Sequence, residues 1–253
     1  AEGRITKIIA NKNDNDVYFK AIFEENKLSD TFPNKVLREA NRISEDIKIS
    51  EDRVDLTDEF IFTIDGWDAK DLDDAVSVVK TKKGYRLKVF IADVSRYVTE
   101  DSPLDKEAAN RGCSVYLADR VVPMLPRKLS NNICSLNPHV LRYTICCDIY
   151  PAVIKSKGRL TYKKVNEVYA GNKEVIEEYK EYVPMLNTAL ELSKKIRKNR
   201  ETRGAIDFDK PESKVVVDEN GEVIDIVLRE RGISERLIED FMLSANEVIG
   251  EHF

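Results

Sequence analysis

Residues 65 to 74, Asp65-Gly66-Trp67-Asp68-Ala69-Lys70-Asp71-Leu72-Asp73-Asp74, hold five aspartates and a single cation, Lys70. Carboxylates set that closely raise one another's pKa unless a positive charge neutralises them, so the run costs stability unless a cation binds there. Magnesium and manganese suit it, because hard divalent ions take oxygen ligands, commonly a few carboxylates together with substrate phosphates. The plainer reading is a solvated acidic turn, the usual fate of clustered charge. A calcium EF-hand is excluded, since its third position needs Asp or Asn and its sixth Gly, where Trp67 and Lys70 stand. β-type runs frame the stretch, Glu59-Phe60-Ile61-Phe62-Thr63-Ile64 before it and Ala75-Val76-Ser77-Val78-Val79 after it. Two apolar strands would therefore hold a short acidic loop between them.

The 253-residue chain can bury a sizeable core around such a loop, as one large domain or two small ones. Its 42% hydrophobic and 34% charged residues describe a soluble globular protein. No apolar run approaches the roughly 20 residues of a membrane span, and Ala1-Glu2-Gly3-Arg4 opens no signal peptide, so a cytoplasmic location is expected. The cysteines, Cys113, Cys134, Cys146 and Cys147, form no CxxC pair, and with only His139 and His252 beside them a zinc site lacks its ligand spacing. The adjacent Cys146 and Cys147 read as small buried hydrophobes on opposite faces of a strand. A net charge of −5 argues against nucleic acid unless positive charge is concentrated locally. It is concentrated in Lys155-Ser156-Lys157-Gly158-Arg159 with Lys163 and Lys164, and again from Lys194 to Arg203. Either stretch fits the wall of an RNA channel or a solvated face, the second being favoured in any case by a helix dipole.

The elements that would position these residues can be read in order. Gly3 to Ile9 alternates as one strand and Val17 to Phe23 reads as a second, across a polar turn. Pro33 starts a helix through Val36, Leu37 and Ala40, and residues 44–58 read as a connector. Gly84 to Ala92 has the pattern of a central strand. Ser102-Pro103-Leu104-Asp105 supplies an N-cap, a proline at the first helical position and an acid at the third; that helix should end near Arg111-Gly112. Val115-Tyr116-Leu117 and Val121-Val122-Pro123 are short extended pieces, and Pro126 to Asn132 one helical turn. Arg142 to Ile154 reads as a long strand, with Gly158 to Tyr162 as its hairpin partner. A helix from Pro184 buries Leu186, Ala189, Leu190 and Ile196 and is capped by Gly204. Val215–Val217 and Val223–Leu228 flank the turn signal Asn220-Gly221. A last helix starts near Ser234 with Leu237, Phe241, Ala245 and Val248 as its stripe, and its uncapped end implies that the natural protein continues. The mixture predicts an α+β fold, a mixed and largely antiparallel sheet with flanking helices.

The acidic loop, with Ala92-Asp93-Val94-Ser95, Ser102-Pro103-Leu104-Asp105, Arg111-Gly112-Cys113-Ser114-Val115-Tyr116 and Val122-Pro123-Met124-Leu125-Pro126, resembles the catalytic (RNB) domain of the ribonuclease II/ribonuclease R family. Leu129-Ser130-Asn131-Asn132-Ile133-Cys134-Ser135-Leu136-Asn137-Pro138, Gly158-Arg159-Leu160-Thr161-Tyr162 and Leu237-Ile238-Glu239-Asp240-Phe241-Met242-Leu243-Ser244-Ala245-Asn246 continue the likeness, whose wording is nearest the bacterial ribonuclease R branch. It covers residues 55–253, the N-terminal portion of that domain, and implies that residues 1–54 are the end of a cold-shock/OB-type module and a linker. The resemblance implies processive hydrolysis of single-stranded RNA from its 3′ end to nucleoside 5′-monophosphates, with Mg2+ or Mn2+ as cofactor. It implies metal ligation by Asp65, Asp71, Asp73 and Asp74. Asp65 and Asp74 would be direct ligands, Asp71 and Asp73 would complete a second ion's shell or orient the water, and Asp68 would be structural. One divalent ion, or two about 4 Å apart, would polarise the scissile phosphate and acidify the attacking water. Tyr116 and Phe208 would stack on bases near the 3′ end, and Tyr162 and Glu239 would sense the 2′-hydroxyl. Trp67 departs from the acidic residue usual in its slot, and Arg96 from an aromatic or His. By the residues alone, Tyr116 and Phe208 also fit core aromatics, and Glu239 a solvated helix face shared with Glu235 and Asn246.

Two other readings stay open. Asp71-Leu72-Asp73 could be the nucleophile pair of a phosphatase or phosphomutase, which would want it directly after a buried strand in a βαβ setting. The chain could also be a non-catalytic RNA-binding piece, because the family places a catalytic arginine and further acids beyond this stretch; little activity is expected of this stretch alone. Neither a membrane nor an obligate protein partner is implied.

Overall fold

Seven of the β-type runs from residue 54 onward assemble into one sheet, and residues 115–116 with 121–122 and 212–217 with 223–229 form two separate antiparallel pairs, in a computed structural model, which describes residues 4–14, 16–118, 120–146, 149–206, 212–218, 223–229 and 231–253. In chain order the strands are β1 (Val54–Leu56), β2 (Phe62–Asp65), β3 (Asp74–Thr81), β4 (Gly84–Ala92), β5 (Val115–Tyr116), β6 (Val121–Val122), β7 (Leu141–Cys146), β8 (Tyr150–Lys155), β9 (Gly158–Thr161), β10 (Glu212–Val217) and β11 (Val223–Arg229). The helices are α1 (Val17–Glu25), α2 (Asn34–Arg42), α3 (Pro103–Arg111), α4 (Tyr162–Tyr169), α5 (Lys173–Glu178), α6 (Val183–Thr202) and α7 (Ile233–His252). Among the described residues no helix is long and apolar enough to cross a membrane.

The sheet order is β1-β8-β7-β4-β3-β2-β9. Its pairings are antiparallel except at the edges, where β1 lies parallel to β8 and β9 parallel to β2. This is the mixed, largely antiparallel α+β sheet that the sequence predicts. Ser156 and Lys157 alone separate β8 from β9, although the sheet order puts four strands between them. Strands about 4.8 Å apart would place those two far beyond the reach of a link extending at most ~3.6 Å per residue. The sheet therefore curls until its ends approach. Alternation along the strands builds a core on each face. Phe62, Val76, Val78 and Val89 pack with Leu186, Ala189, Leu237 and Phe241 of α6 and α7. Their neighbours Ile61, Ala75 and Phe90 pack on the other side with Val36 and Ala40 of α2, Leu104 of α3 and Leu129.

Several local expectations hold. Ser102 caps α3, its side chain accepting from the Asp105 N–H, and Gly112 ends it with φ 76°. Others are corrected. Val17–Glu25 is a helix and residues 4–10 form no strand. A helix satisfies its backbone within itself whereas a strand needs a neighbour, and among the described residues no strand pairs with this segment. The single strand expected over 142–154 is the hairpin β7–β8, turned at Ile149 (φ 54°), whose N–H donates to the Cys146 carbonyl at 2.7 Å. β9 does not pair with β8, whose two sides are taken by β1 and β7, and lies beside β2 instead. It hands over directly to α4, which the sequence reading missed along with α5. On α7, Leu237, Phe241 and Ala245 are buried but Val248 is half exposed. Cys146 is buried, and Cys147 and Phe208 lie outside the described residues.

Candidate metal centre

The antiparallel pairing of Phe62 with Val76 brings the end of β2 opposite the start of β3. Asp65 closes one strand and Asp74 opens the other, leaving residues 66–73 as the loop. That loop is fastened from two sides. On one, Leu72 is fully buried, and its N–H donates to Ser135 Oγ at 3.0 Å. Its carbonyl accepts from the Leu136 N–H at 2.8 Å. Ser135 Oγ donates in turn to the Lys70 carbonyl at 2.9 Å, and the Ala92 N–H donates to the Asp73 carbonyl at 2.9 Å. On the other side stands Arg159, brought there because β9 runs parallel to β2 with Arg159 opposite Thr63. One of its guanidinium nitrogens faces the carbonyls of Gly66, Trp67 and Ala69 at 3.4, 3.0 and 2.5 Å.

The loop's fixed backbone sets the electrostatics of its carboxylates. Asp65 Oδ2 is buried with no hydrogen-bond partner among the described residues. Burial first, and then the neighbouring Asp74, push the Asp65 carboxyl up to about 7. Asp74 is raised to about 6 by burial and then by Asp73. Asp73 still reaches solvent, yet crowding by the protein and then Asp71 raise it to about 6. Asp71 accepts a hydrogen bond from the Tyr116 hydroxyl at 2.7 Å, and this bond is the main cause that pushes the phenol up to about 12. The four aspartates thus form one chain of mutually repelling groups. Among the described residues, no three His, Cys, Asp or Glu side chains stand together as a ready set of metal ligands. The donor set nevertheless fits a hard divalent ion: it is all oxygen, one buried carboxylate oxygen is orphaned, and drawing the groups together costs repulsion that a cation offsets.

The remaining predicted residues divide. Tyr116 is 65% exposed and is therefore no core aromatic. Tyr162 follows Thr161, the register partner of Asp65, and is half-buried against the helical core. Its carbonyl accepts from Ser234 Oγ at 3.1 Å, which ties the start of α4 to the start of α7. Glu239 lies further along α7 and is ion-paired with Arg231. The cationic stretches are used in part within the fold. Besides Arg159, Lys157 donates to the Thr57 carbonyl at 2.9 Å and Lys164 pairs with Glu178. Arg197 and Arg200 face the buried Asp240, and Arg203 pairs with Glu247. Sequence reasoning missed the anchoring roles of Arg159 and Ser135. Both lie in stretches that carry the family resemblance, but nothing local shows that either would reach the acidic loop.

The RNB domain family matches residues 53–253. The chain is 45% identical over its whole length to ribonuclease R 1 of Lactococcus lactis, of which it covers 33%. It is 44% identical, again over its whole length, to ribonuclease R of Thermotoga maritima, of which it covers 38%. Among solved structures, Mycoplasma genitalium RNase R in complex with ribose methylated single-stranded RNA aligns with 96% of the chain at TM-score 0.87 and 34% identity, with 40% of that protein covered. The chain thus spans a third to two fifths of the length of these relatives. By the match along nearly all of the curled sheet, its helices and the aspartate loop, the chain belongs to the RNB domain family.

Proposed function

We propose that this chain is the metal- and RNA-gripping portion of a 3′→5′ hydrolytic exoribonuclease that degrades single-stranded RNA to nucleoside 5′-monophosphates. The observation that carries the reading is the loop itself: four aspartates at the junction of β2 and β3, with Asp65 Oδ2 buried and unpartnered among the described residues. Asp65 and Asp74 would hold a magnesium or manganese ion, with Asp71 and Asp73 completing the shell of a second ion or orienting the attacking water. Such an ion, when bound, supplies Lewis-acid polarisation of the phosphate and a lowered pKa for water. In the hydrolysis, the oxygen of water bonds to the phosphorus of the last linkage and the bond to the preceding nucleotide's 3′ oxygen breaks. That oxygen leaves with a proton, and the released nucleotide keeps its 5′-phosphate.

In the same reading Tyr116 and Phe208 stack on bases near the 3′ end, Tyr162 and Glu239 sense the 2′-hydroxyl, and residues 1–54 are the end of a cold-shock-type module. The RNA named for the Mycoplasma relative supports RNA as the substrate class. A phosphatase of the Asp71-Leu72-Asp73 type is disfavoured, because β2 leads through the loop into an antiparallel neighbour and not into a βαβ unit. A second reading is a piece that binds RNA and leaves cleavage to elements outside it, because the chain spans only 33% to 40% of the relatives it matches.

Replacement of Asp73 by Asn separates these readings. With magnesium, a full-length protein carrying this chain should lose mononucleotide release from single-stranded RNA, with affinity held within a few fold. Undiminished release by that variant would remove the metal assignment. Tyr162→Ala and Glu239→Ala should each narrow the preference for ribose over deoxyribose 3′ ends, and an unchanged preference in both would end the 2′-hydroxyl assignment.

A further inference from the structure

Trp67 is the chain's single tryptophan, and 75% of it is exposed. An indole left in water forgoes a large burial, yet the backbone beneath this one is held in place. Its carbonyl and those of Gly66 and Ala69 face Arg159, and the Ala69 N–H closes a turn onto the Gly66 carbonyl at 3.2 Å. Trp67 is two residues from Asp65 and four from Asp71, so at ~3.6 Å per residue its Cα lies within ~7 Å of the first and ~14 Å of the second. Beyond it Tyr116, also exposed, hydrogen-bonds Asp71. The acidic loop therefore carries solvent-facing aromatic surface, on an anchored backbone, among its carboxylates. Without a bound cation those carboxylates repel phosphates, whereas an uncharged aromatic face stacks on any base whatever its identity.

We propose that Trp67 is a base-stacking platform, engaging a nucleobase of single-stranded RNA within one or two nucleotides of the linkage held by the aspartates. The inference rests on the RNA reading above and adds to it a binding residue. Because the chain has one tryptophan, its intrinsic fluorescence reports on this residue alone. The experiment uses the 253-residue chain with Asp73→Asn, magnesium and a 5′-labelled oligoadenylate, with label anisotropy and tryptophan emission followed in one titration. Emission should begin at the wavelength of a hydrated indole and be quenched with the midpoint given by anisotropy. Adding Trp67→Ala should weaken binding by roughly 5- to 150-fold, equivalent to 1–3 kcal/mol, while Trp67→Phe retains most of the affinity. An unshifted thermal melt in both would show that the fold is intact. Binding by anisotropy with unchanged emission, or equal affinity of the Trp67→Ala protein, would overturn the platform and leave the RNA reading standing. No binding at all would overturn both.

Discussion

A single guanidinium carries much of the loop's definition. Arg159 faces three carbonyls, those of Gly66, Trp67 and Ala69, that no regular secondary structure satisfies. Its positive charge also partly counters the rise of the Asp65 carboxyl. Lysine is no substitute, because a compact ammonium lacks the planar fork that spans several acceptors. Arg159→Met keeps the stem and removes the donors, so it should cost about 1–3 kcal/mol of stability, the usual penalty for stranded polar groups. Urea denaturation measures that loss, and calorimetric titration with magnesium should show weaker binding in the same variant. A protein of unchanged stability and magnesium affinity would show that the loop holds its shape through Leu72 and Ser135 alone. The predicted ligands Asp65, Asp71, Asp73 and Asp74 were all legible as residues, since aspartate clustering is visible in one dimension. The cation that fastens their loop was not, because it comes from a strand more than eighty positions away.

At the scale of elements, the join of β9 to β2 decides whether that cation arrives. Gly158 opens β9 opposite Phe62 and lies under Tyr182, the N-cap of α6. The Tyr182 hydroxyl donates to the Lys157 carbonyl at 3.0 Å, and its ring packs on Phe60 and Phe62 at 5.5 and 5.9 Å. A Cβ at position 158 would stand 2.2 Å from Tyr182 Oη and 2.7 Å from Cζ. Gly158→Ala must therefore displace a packed ring, and should destabilise by about 1–3 kcal/mol as overpacking does. Gly250 in α7 is the contrast, with nothing within 4 Å of an added Cβ. Gly250→Ala should be neutral or stabilising by up to about 1 kcal/mol from helix propensity. Thermal melts of the two variants check the pair, and equal losses would mean that the close approach at 158 relaxes freely. Helices α6 and α7 are pinned together in turn by Asp240, which accepts from Ser193 Oγ at 2.7 Å and pairs with Arg197 at 3.1 Å.

At the scale of the whole molecule, the aspartate loop links stability to pH. Asp65 is raised to about 7 and Asp73 and Asp74 to about 6, from 3.8 in the unfolded chain. Between those values the folded state binds more protons than the unfolded one, so stability falls as pH rises. The contribution is fully present below about pH 4 and is lost as pH climbs through 6 and 7. In the presence of a chelator the melting temperature should therefore drop between pH 5 and pH 8. Magnesium should restore it, and more strongly at pH 8, because a bound cation removes the reason for holding protons. A chelated protein with a flat profile over that range would show that neither burial nor mutual repulsion raises these carboxylates in the folded state.

What can be read in one dimension is what local chemistry writes. Period-two runs gave β2, β3 and β4, Ser102 and Pro103 gave the start of α3, and the aspartates gave the loop that the strands frame. These signals act over a few residues, through steric preference, capping and alternation. Which strand lies beside which is set in three dimensions, because pairing depends on edges left open elsewhere in the sheet. β9 went to β2 once β8 was flanked on both sides, and the curl followed from a link too short for any flat arrangement. The same closure determined which of many similar cations, Arg159, would meet the carbonyls of the acidic loop.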